Sequence, residues 1–301
     1  MGRTHQRRLI VKNGKRIFET AVHGVFLILG LITVACVLLI TVYLVISGIP
    51  AIREIGLIPF LFGDKWASTA AEPSYGILPF ILTSIYGTAG AILLGVPIGF
   101  FAAVYLAKAA SPRVKAVMQA AVSLLAGIPS VVYGFFGIVV LVPMVRALGE
   151  KWDGSGNSML TASILLAIMI LPTIIGVVEP ALRAVPRSDY EGALALGATH
   201  ERSVYTAVVP AARSGILAGV VLGVGRAMGE TMAVIMVAGN QPRMPKGILQ
   251  GVRTLTGNIV IEMGYAAGLH REALIATGVV LFVFILLMNL CFSVLKRGKK
   301  A

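Results

Sequence analysis

Arg226 and Glu230 are the residues of this chain whose types and spacing most invite chemistry. They stand four apart in SGILAGVVLGVGRAMGETMAVIMVA, Ser214 to Ala238. A guanidinium offers a planar fork of donors that fits the oxygens of a carboxylate or a phosphate. Residues four apart on a helix share a face and can pair. The stretch is otherwise apolar, and at ~1.5 Å per helical residue it reaches about 37 Å, enough to cross a bilayer. A charge at mid-membrane costs on the order of 2.5–3.5 kcal/mol even on lenient insertion scales, so both side chains are expected to face protein or water. Two readings follow: an anion site or gate on a transport path, and a structural ion pair between helices. Steps of three and four from Arg226 reach Gly219, Gly223, Gly229 and Ala233, with only Leu222 large, which leaves room for a ligand. Gly215, Gly219 and Gly223 equally form a small-xxx-small ladder for close helix packing.

The elements that must hold this pair are membrane spans. The 301 residues are 57% hydrophobic and 13% charged, with a mean hydropathy of +0.90. A soluble domain carries about a quarter of its residues as charges. Basic residues precede an apolar run from Val22 to Ile46 that is about twice as long as a signal-peptide core and lacks an A-x-A site, so it is expected to remain as an anchor. A mixed segment from Gly48 to Gly76 reads as an outer loop, with Trp66 and Tyr75 suited to the headgroup region. Ile77 to Leu106 is the second span, expected to kink at Pro97. A third, Val117 to Leu148, is interrupted by Gly127, Ile128, Pro129 and Ser130, where Ser130 could cap a new helical piece. A polar loop from Glu150 to Ser158 leads to Met159–Val178, in which Pro172 is read as a break. After the Ser214–Ala238 stretch, a loop from Gly239 to His270 precedes a last span to Leu295.

Six spans place both termini on one side. That side then carries 17 Lys and Arg and the other carries 8, with Arg226 between them. By the positive-inside rule both ends are cytoplasmic. The net charge of +13 is therefore topology and no nucleic-acid footprint. Cys36 and Cys291 lie in apolar spans and read as small core residues. His5, His23, His200 and His270 are scattered singly and give no metal signature.

Between the fourth span and the Arg226 stretch lies PRSDYEGALALGATHERSVYTAVVP, Pro186 to Pro210. Ser188 followed by Glu191 has capping-box spacing. Gly197 suits a left-handed C-cap, and Thr199 can cap a second helix with Glu201 in its first turn. The expected product is helix, glycine turn, helix: either a plain interfacial loop or a handle for a cytosolic partner.

Glu191, Gly192 and Ala193, then Gly197 and Pro210, resemble the EAA motif of ABC-importer permease subunits, with Gly192 where alanine is usual and Ala207 and Val209 where larger aliphatics are usual. The run Gly225 to Val234 is similar to the matching helix of the high-affinity phosphate importer. Gly127 to Gly137 and Gly268 to Phe282 are similar to its PstC-type permease, and Met232 to Val234 favour that type over the sister PstA-type. The resemblance implies an all-α polytopic membrane protein of about six transmembrane helices. Its parts would be a basic N-terminus (1–20), a first anchor (21–47), an extracytoplasmic loop (48–75), a MetI-like permease core (76–295) with a coupling loop at 186–210, and a basic tail (296–301).

The same resemblance implies translocation of inorganic phosphate across the bacterial plasma membrane by alternating access. Implied partners are a PstA-type sister permease as heterodimer, two cytosolic ATPase subunits that dock on Ser188, Glu191, Gly192, Ala193, Gly197 and Pro210, and an extracytoplasmic phosphate-binding protein, with membrane lipid around the whole. ATP and Mg would be used by the partner, since this chain has no G-x-x-x-x-G-K-[ST] loop. Arg226 would bind the moving ion, and Glu230 would hold Arg226 while weakening its grip. Arg243, Lys246, Arg253 and Arg271, offset by Glu262 and Glu272, could steer the anion or meet an acidic rim on the binding protein; an ordinary solvated loop fits them equally. The rivals are a permease for another oxyanion (sulfate, molybdate or tungstate) and a non-transporting scaffold or signalling component.

Overall fold

The computed structural model describes the backbone of residues 2–149 and 154–297 and the side chains of 19, 20, 22–149 and 154–290. The basic side chains of the N-terminal segment, the start of the Glu150–Ser158 loop, and the side chains of Cys291 and of the basic tail lie outside the described residues.

In hydrocarbon a backbone amide has no water to bond, so apolar runs satisfy their own polar groups as helices. The chain builds α1 (Gly2–Ile55), α2 (Leu57–Phe62), a short antiparallel hairpin β1 (Trp66–Ala67) and β2 (Ser74–Tyr75), then α3 (Leu78–Lys108) and α4 (Pro112–Gly127). It continues through α5 (Ser130–Phe136), a π turn, α6 (Val142–Gly149), α7 (Met159–Arg183), α8 (Arg187–Ala195) and α9 (His200–Ser203). A second π turn leads to α10 (Val209–Ala211), α11 (Arg213–Gly229), α12 (Met232–Val237), α13 (Leu255–Glu262) and α14 (Gly268–Arg297). Among the described residues five helices are long and apolar enough to cross a membrane. A sixth crossing results if the bent pair His200–Ala211 and Arg213–Gly229, which turns by 73°, counts as one.

Four of the six expected spans are single apolar helices, the third begins only at Ser130 because α4 ends at Gly127, and the fifth stands only as the bent pair. α1 runs through Pro50 to Ile55, beyond the expected end of the anchor at 47. Trp66 and Tyr75 are not interfacial: at 4% and 8% exposure they pack edge-on to one another in a buried cluster with Phe60, Phe80 and Leu274. Trp66 Nε1 has a protein partner there, Glu262 Oε2 at 2.9 Å, so it does not need the headgroup region. Pro97 sits inside a continuous α3 as expected, but Pro172 does not break α7, which also passes through Pro180. Ser130 is the first residue of α5 and makes no cap; Pro129 holds the cap position. Cys36 is exposed on α1 and belongs to no core.

α7 is the centre of the molecule, with Leu165, Ile170, Ile174, Val178 and Leu182 fully buried between α3 and α11. The glycine ladder explains the second contact. A β-carbon on Gly219 would stand 2.7 Å from Val178 Cγ2, one on Gly223 3.0 Å from Ile174 Cγ1, and one on Gly215 would collide with Ala181. These glycines bring two helix backbones together, so the packing reading of the ladder holds and the space beside it is filled. At the far end of α7, buried Glu179 forms ion pairs with Lys115 at 2.9 Å and Arg183 at 3.4 Å, which pins α4 to the core. α1 lies against α14 and presents a long row of exposed Leu, Ile and Val side chains.

Candidate functional site

The stretch that carries Arg226 and Glu230 is two helices, not one. α11 ends at Gly229; Glu230 is extended (φ −71, ψ 128), and α12 starts at Met232. Gly225 and Gly229 weaken the end of α11, since glycine is a poor helix former. The Glu230 carboxylate then accepts the Ala233 amide at 3.1 Å, favoured by the positive end of the new helix. The expected Arg226–Glu230 pair is absent for that reason: the break removes the shared face. Arg226 is partly buried, and its Nη1 donates to Thr173 Oγ1 of α7 at a long 3.4 Å. Among the described residues it has no carboxylate partner.

Glu230 instead borders a small cavity of about 20 Å³, enough for one water molecule. Hydroxyls dominate its polar lining: Thr83, Ser84 and Thr88 from α3, with Thr254 and Thr256 from the approach to α13. Ser84 Oγ accepts the Leu255 amide at 3.1 Å, and Thr254 Oγ1 caps α13 by accepting the Gly257 amide at 3.1 Å. Thr83 Oγ1 is buried with no hydrogen-bond partner, although its residue is only 1% exposed. An unmet hydroxyl in such a place costs on the order of 1–3 kcal/mol, which marks a site that a polar guest would relieve. The signal was available in the sequence, where Thr83, Ser84 and Thr88 interrupt an apolar helix at spacings of four and five.

The four outer basic residues do not form one group. Arg253 is buried at 9% exposure and bonded through both Nε and Nη1. Its Nη1 donates to Glu262 Oε1 at 2.6 Å and Asn258 Oδ1 at 3.0 Å, and its Nε donates to the Asn240 carbonyl at 3.0 Å. It cannot steer an anion from there. Glu262 also accepts Trp66 Nε1 at 2.9 Å and Ser68 Oγ at 3.0 Å, with His270 Nε2 at 2.8 Å. Burial pushes the Glu262 carboxyl up, but the donors from Trp66, Arg253, His270 and Ser68 outweigh it and hold the group below the usual carboxylate range. This knot ties the hairpin, the 239–254 loop, α13 and α14 together. The sequence offered no spacing rule for it, because Trp66 and Glu262 lie 196 residues apart. Arg243, Lys246 and Arg271 remain exposed.

The 186–210 segment has the expected helix–turn–helix form, with one correction. α8 starts after Pro186, and Ser188 Oγ contacts Asp189 Oδ1 at 3.4 Å instead of capping. No capping box forms, because Pro186 already sets the helix start and Ser188 falls inside it; Glu191 pairs with Arg187 at 2.8 Å. At the other end Gly197 has φ +84, its amide bonds the Leu194 carbonyl at 2.9 Å, and the Ala198 amide bonds the Ala193 carbonyl at 3.2 Å. That is the double bond of a Schellman cap, which a side chain at Gly197 would strain. Thr199 Oγ1 accepts the Arg202 amide at 3.3 Å, with Glu201 in the first turn. Tyr190 OH and His200 Nδ1, 2.6 Å apart, join the two helices. Gly192 and Ala193 lie in α8 and Pro210 in α10, so the motif residues fall on one compact, largely exposed element.

Residues 95–300 match the model of a family described as binding-protein-dependent transport system inner membrane component. The chain is 35% identical over 299 residues to a probable ABC transporter permease protein, YqgH, of Bacillus subtilis, covering 98% of this chain and 96% of the relative. It is 32% identical to the phosphate transport system permease protein PstC of Haemophilus influenzae, over 91% of this chain and 93% of that one. Among solved structures it is similar to a chain of the MetNI methionine ABC transporter in an inward-facing form, at 20% identity and a TM-score of 0.55 over 74% of this chain and 94% of that chain. It also resembles a chain of a bacterial ABC transporter involved in importing alginate, at 15% identity and a TM-score of 0.58 over 90% and 96% of the two chains. With a permease fold, a compact helix–turn–helix element between its spans and a family match over two thirds of its length, this chain belongs to the binding-protein-dependent transport system inner membrane components.

Proposed function

We propose that this chain is the permease subunit through which an ATP-driven importer moves inorganic phosphate across the bacterial plasma membrane. The observation that carries the reading is Arg226. It is a guanidinium inside the spanning region with one long hydrogen bond to Thr173 and, among the described residues, no carboxylate against it, so its donors are available to a passing anion. A cation already neutralised by Glu230 would have offered far less. The relatives named PstC support phosphate as the anion.

The roles of the two charged residues separate. Arg226 supplies the fixed positive charge and a fork of donors. Glu230 does not hold Arg226; it fixes the start of α12 and turns its remaining acceptor capacity toward the hydroxyl-lined cavity. A carboxylate near the path keeps the anion from binding too tightly to leave. Alternating access follows if an ATPase pair moves α8 to α10, because the 73° bend passes that motion directly into α11 and Arg226. The partners of this reading are a PstA-type sister permease, two ATPase subunits that use ATP and Mg, and an extracytoplasmic binding protein, with both termini of this chain cytoplasmic.

The test is uptake of labelled phosphate in a host without its own phosphate importers, supplied with this chain and its genomic partners. Wild type is expected to transport, and Arg226→Ala to lose uptake while the complex still assembles. Equal uptake by the two would remove Arg226 from the path. An assembled wild type that moves sulfate, molybdate or tungstate in competition, and not phosphate, would reassign the anion.

A further inference from the structure

A second, larger recess lies away from Arg226, on the outside of the bundle. It measures about 460 Å³, within the ~300–1,000 Å³ range of small-ligand sites. Tyr86, Leu93 and Leu94 of α3 form one wall, Leu160 of α7 the other, and Ile248 and Lys246 of the 239–254 loop close one end. Its floor is deep because Gly90 lets α3 approach α7: a β-carbon there would come within 2.6 Å of Ser163 Oγ. The loop is held over the recess by main-chain bonds, Leu160 amide to Ile248 carbonyl at 2.8 Å and Met159 amide to Gln250 carbonyl at 3.1 Å. The shape is therefore built into the fold.

We infer that this recess is a binding site for one anionic phospholipid, its acyl chain along Tyr86 to Leu94 and its phosphate head on Lys246. Three observations select that occupant. The walls are aliphatic and aromatic and three of the large side chains are open to the surroundings, with Leu93 75%, Ile248 59% and Tyr86 47% exposed, as suits a surface in hydrocarbon. From Tyr86 to Leu94 the groove runs about 12 Å at ~1.5 Å per residue, close to the ~15 Å of one leaflet's hydrocarbon. Lys246 is exposed and has no ion pair among the described residues, and it sits where α7 begins, at the level at which a headgroup would lie. A free phosphate ion shares the headgroup chemistry but would have to leave its water against leucines, which costs too much without a paired donor set. Lys246, which the sequence grouped with anion-steering residues, thereby becomes part of a lipid clamp that holds the 239–254 loop on the bundle.

The test uses the whole importer complex in vesicles of mixed phosphatidylglycerol and phosphatidylcholine, followed by native mass spectrometry of the lipids it retains. A lysine near a membrane surface is worth about fivefold in preference for an anionic lipid. Wild type is expected to retain phosphatidylglycerol about fivefold over phosphatidylcholine. Lys246→Gln is expected to fall to parity, and Lys65→Gln, an exposed lysine outside the recess, to behave as wild type. A photoreactive acyl chain on phosphatidylglycerol should label peptides containing Leu93, Leu94 or Ile248. Equal retention of both lipids by wild type, an unchanged preference in Lys246→Gln, or label confined to other peptides overturns the site. Displacement of the lipid by inorganic phosphate would overturn it in favour of an ion at Lys246, and a photoreactive residue at position 94 that links to the sister permease would overturn it in favour of a protein interface. None of these results depends on which ion the complex carries.

Discussion

Two arginine–glutamate pairs in this chain have opposite fates. Arg226 and Glu230, four residues apart in an apolar run, do not meet; Arg253 before α13 and Glu262 at its end, nine apart, bond at 2.6 Å. The helix break at Glu230 separates the first pair and leaves its arginine with one weak partner. The second pair is closed in by Trp66, Ser68 and His270, which bond Glu262, and by Asn258, which bonds Arg253. A buried ion pair repays its desolvation only when such extra bonds are made. The contrast is in engagement: Arg253 is tied into the scaffold, whereas Arg226 keeps donors free for the anion it is proposed to bind.

The contrast breaks most sharply at Arg253. Arg253→Leu leaves Glu262 buried without its main partner, a loss of about 3–5 kcal/mol. A fall in the thermal midpoint of the purified complex, with loss of assembly, is the expected result; an unchanged midpoint would mean the knot carries no stability. Arg226→Ala should do the reverse. Its midpoint should stay near wild type while uptake falls about 10- to 100-fold, the worth of one hydrogen bond to a charged group at ~1.5–3 kcal/mol. Arg226→Lys sharpens the point, because a normal rate with lysine would show that charge without the planar fork suffices.

Glu230 comes next. Its amide analogue can still accept the Ala233 amide, so Glu230→Gln should keep the fold and alter only uptake, whereas Glu230→Ala should also lose about 1 kcal/mol of cap. Equal stability and equal uptake in both variants would leave the carboxylate without a role. The smallest effect is expected from pH. Glu262 has its pKa depressed in the folded state, so its contribution is present above the unfolded value of about 4.3 and is lost as pH falls through the lower folded value. The thermal midpoint should therefore be flat between neutrality and about pH 5 as far as this group is concerned. It should drop only below about pH 4, and the Glu262→Gln variant should lack that acid-side drop.

The sequence holds two kinds of information. Apolar length was sufficient for five of the crossings, because hydrocarbon admits few structures and helices satisfy themselves locally, whereas the 73° bend that would make the sixth was not legible. The Gly197 turn and the Thr199 cap were legible for the same reason: each is completed by residues within five positions. The proline at 172 misled because its neighbours, not its own turn, decide whether a membrane helix continues.

What tertiary structure alone decided was partnership. Whether Arg226 meets Glu230 depends on a break that Thr256, Ala233 and two glycines settle together. That Arg253 is scaffold depends on Trp66 and Glu262, 196 residues apart, reaching one point, and that Lys246 faces a groove depends on the main-chain bonds from Met159 and Leu160 to its loop. Charge and hydropathy are written residue by residue, and so the chain's spans and its capped turn were determined by sequence. Desolvation is a property of the surroundings, and the fold settled which charges were buried, which were paired and which stayed free to act.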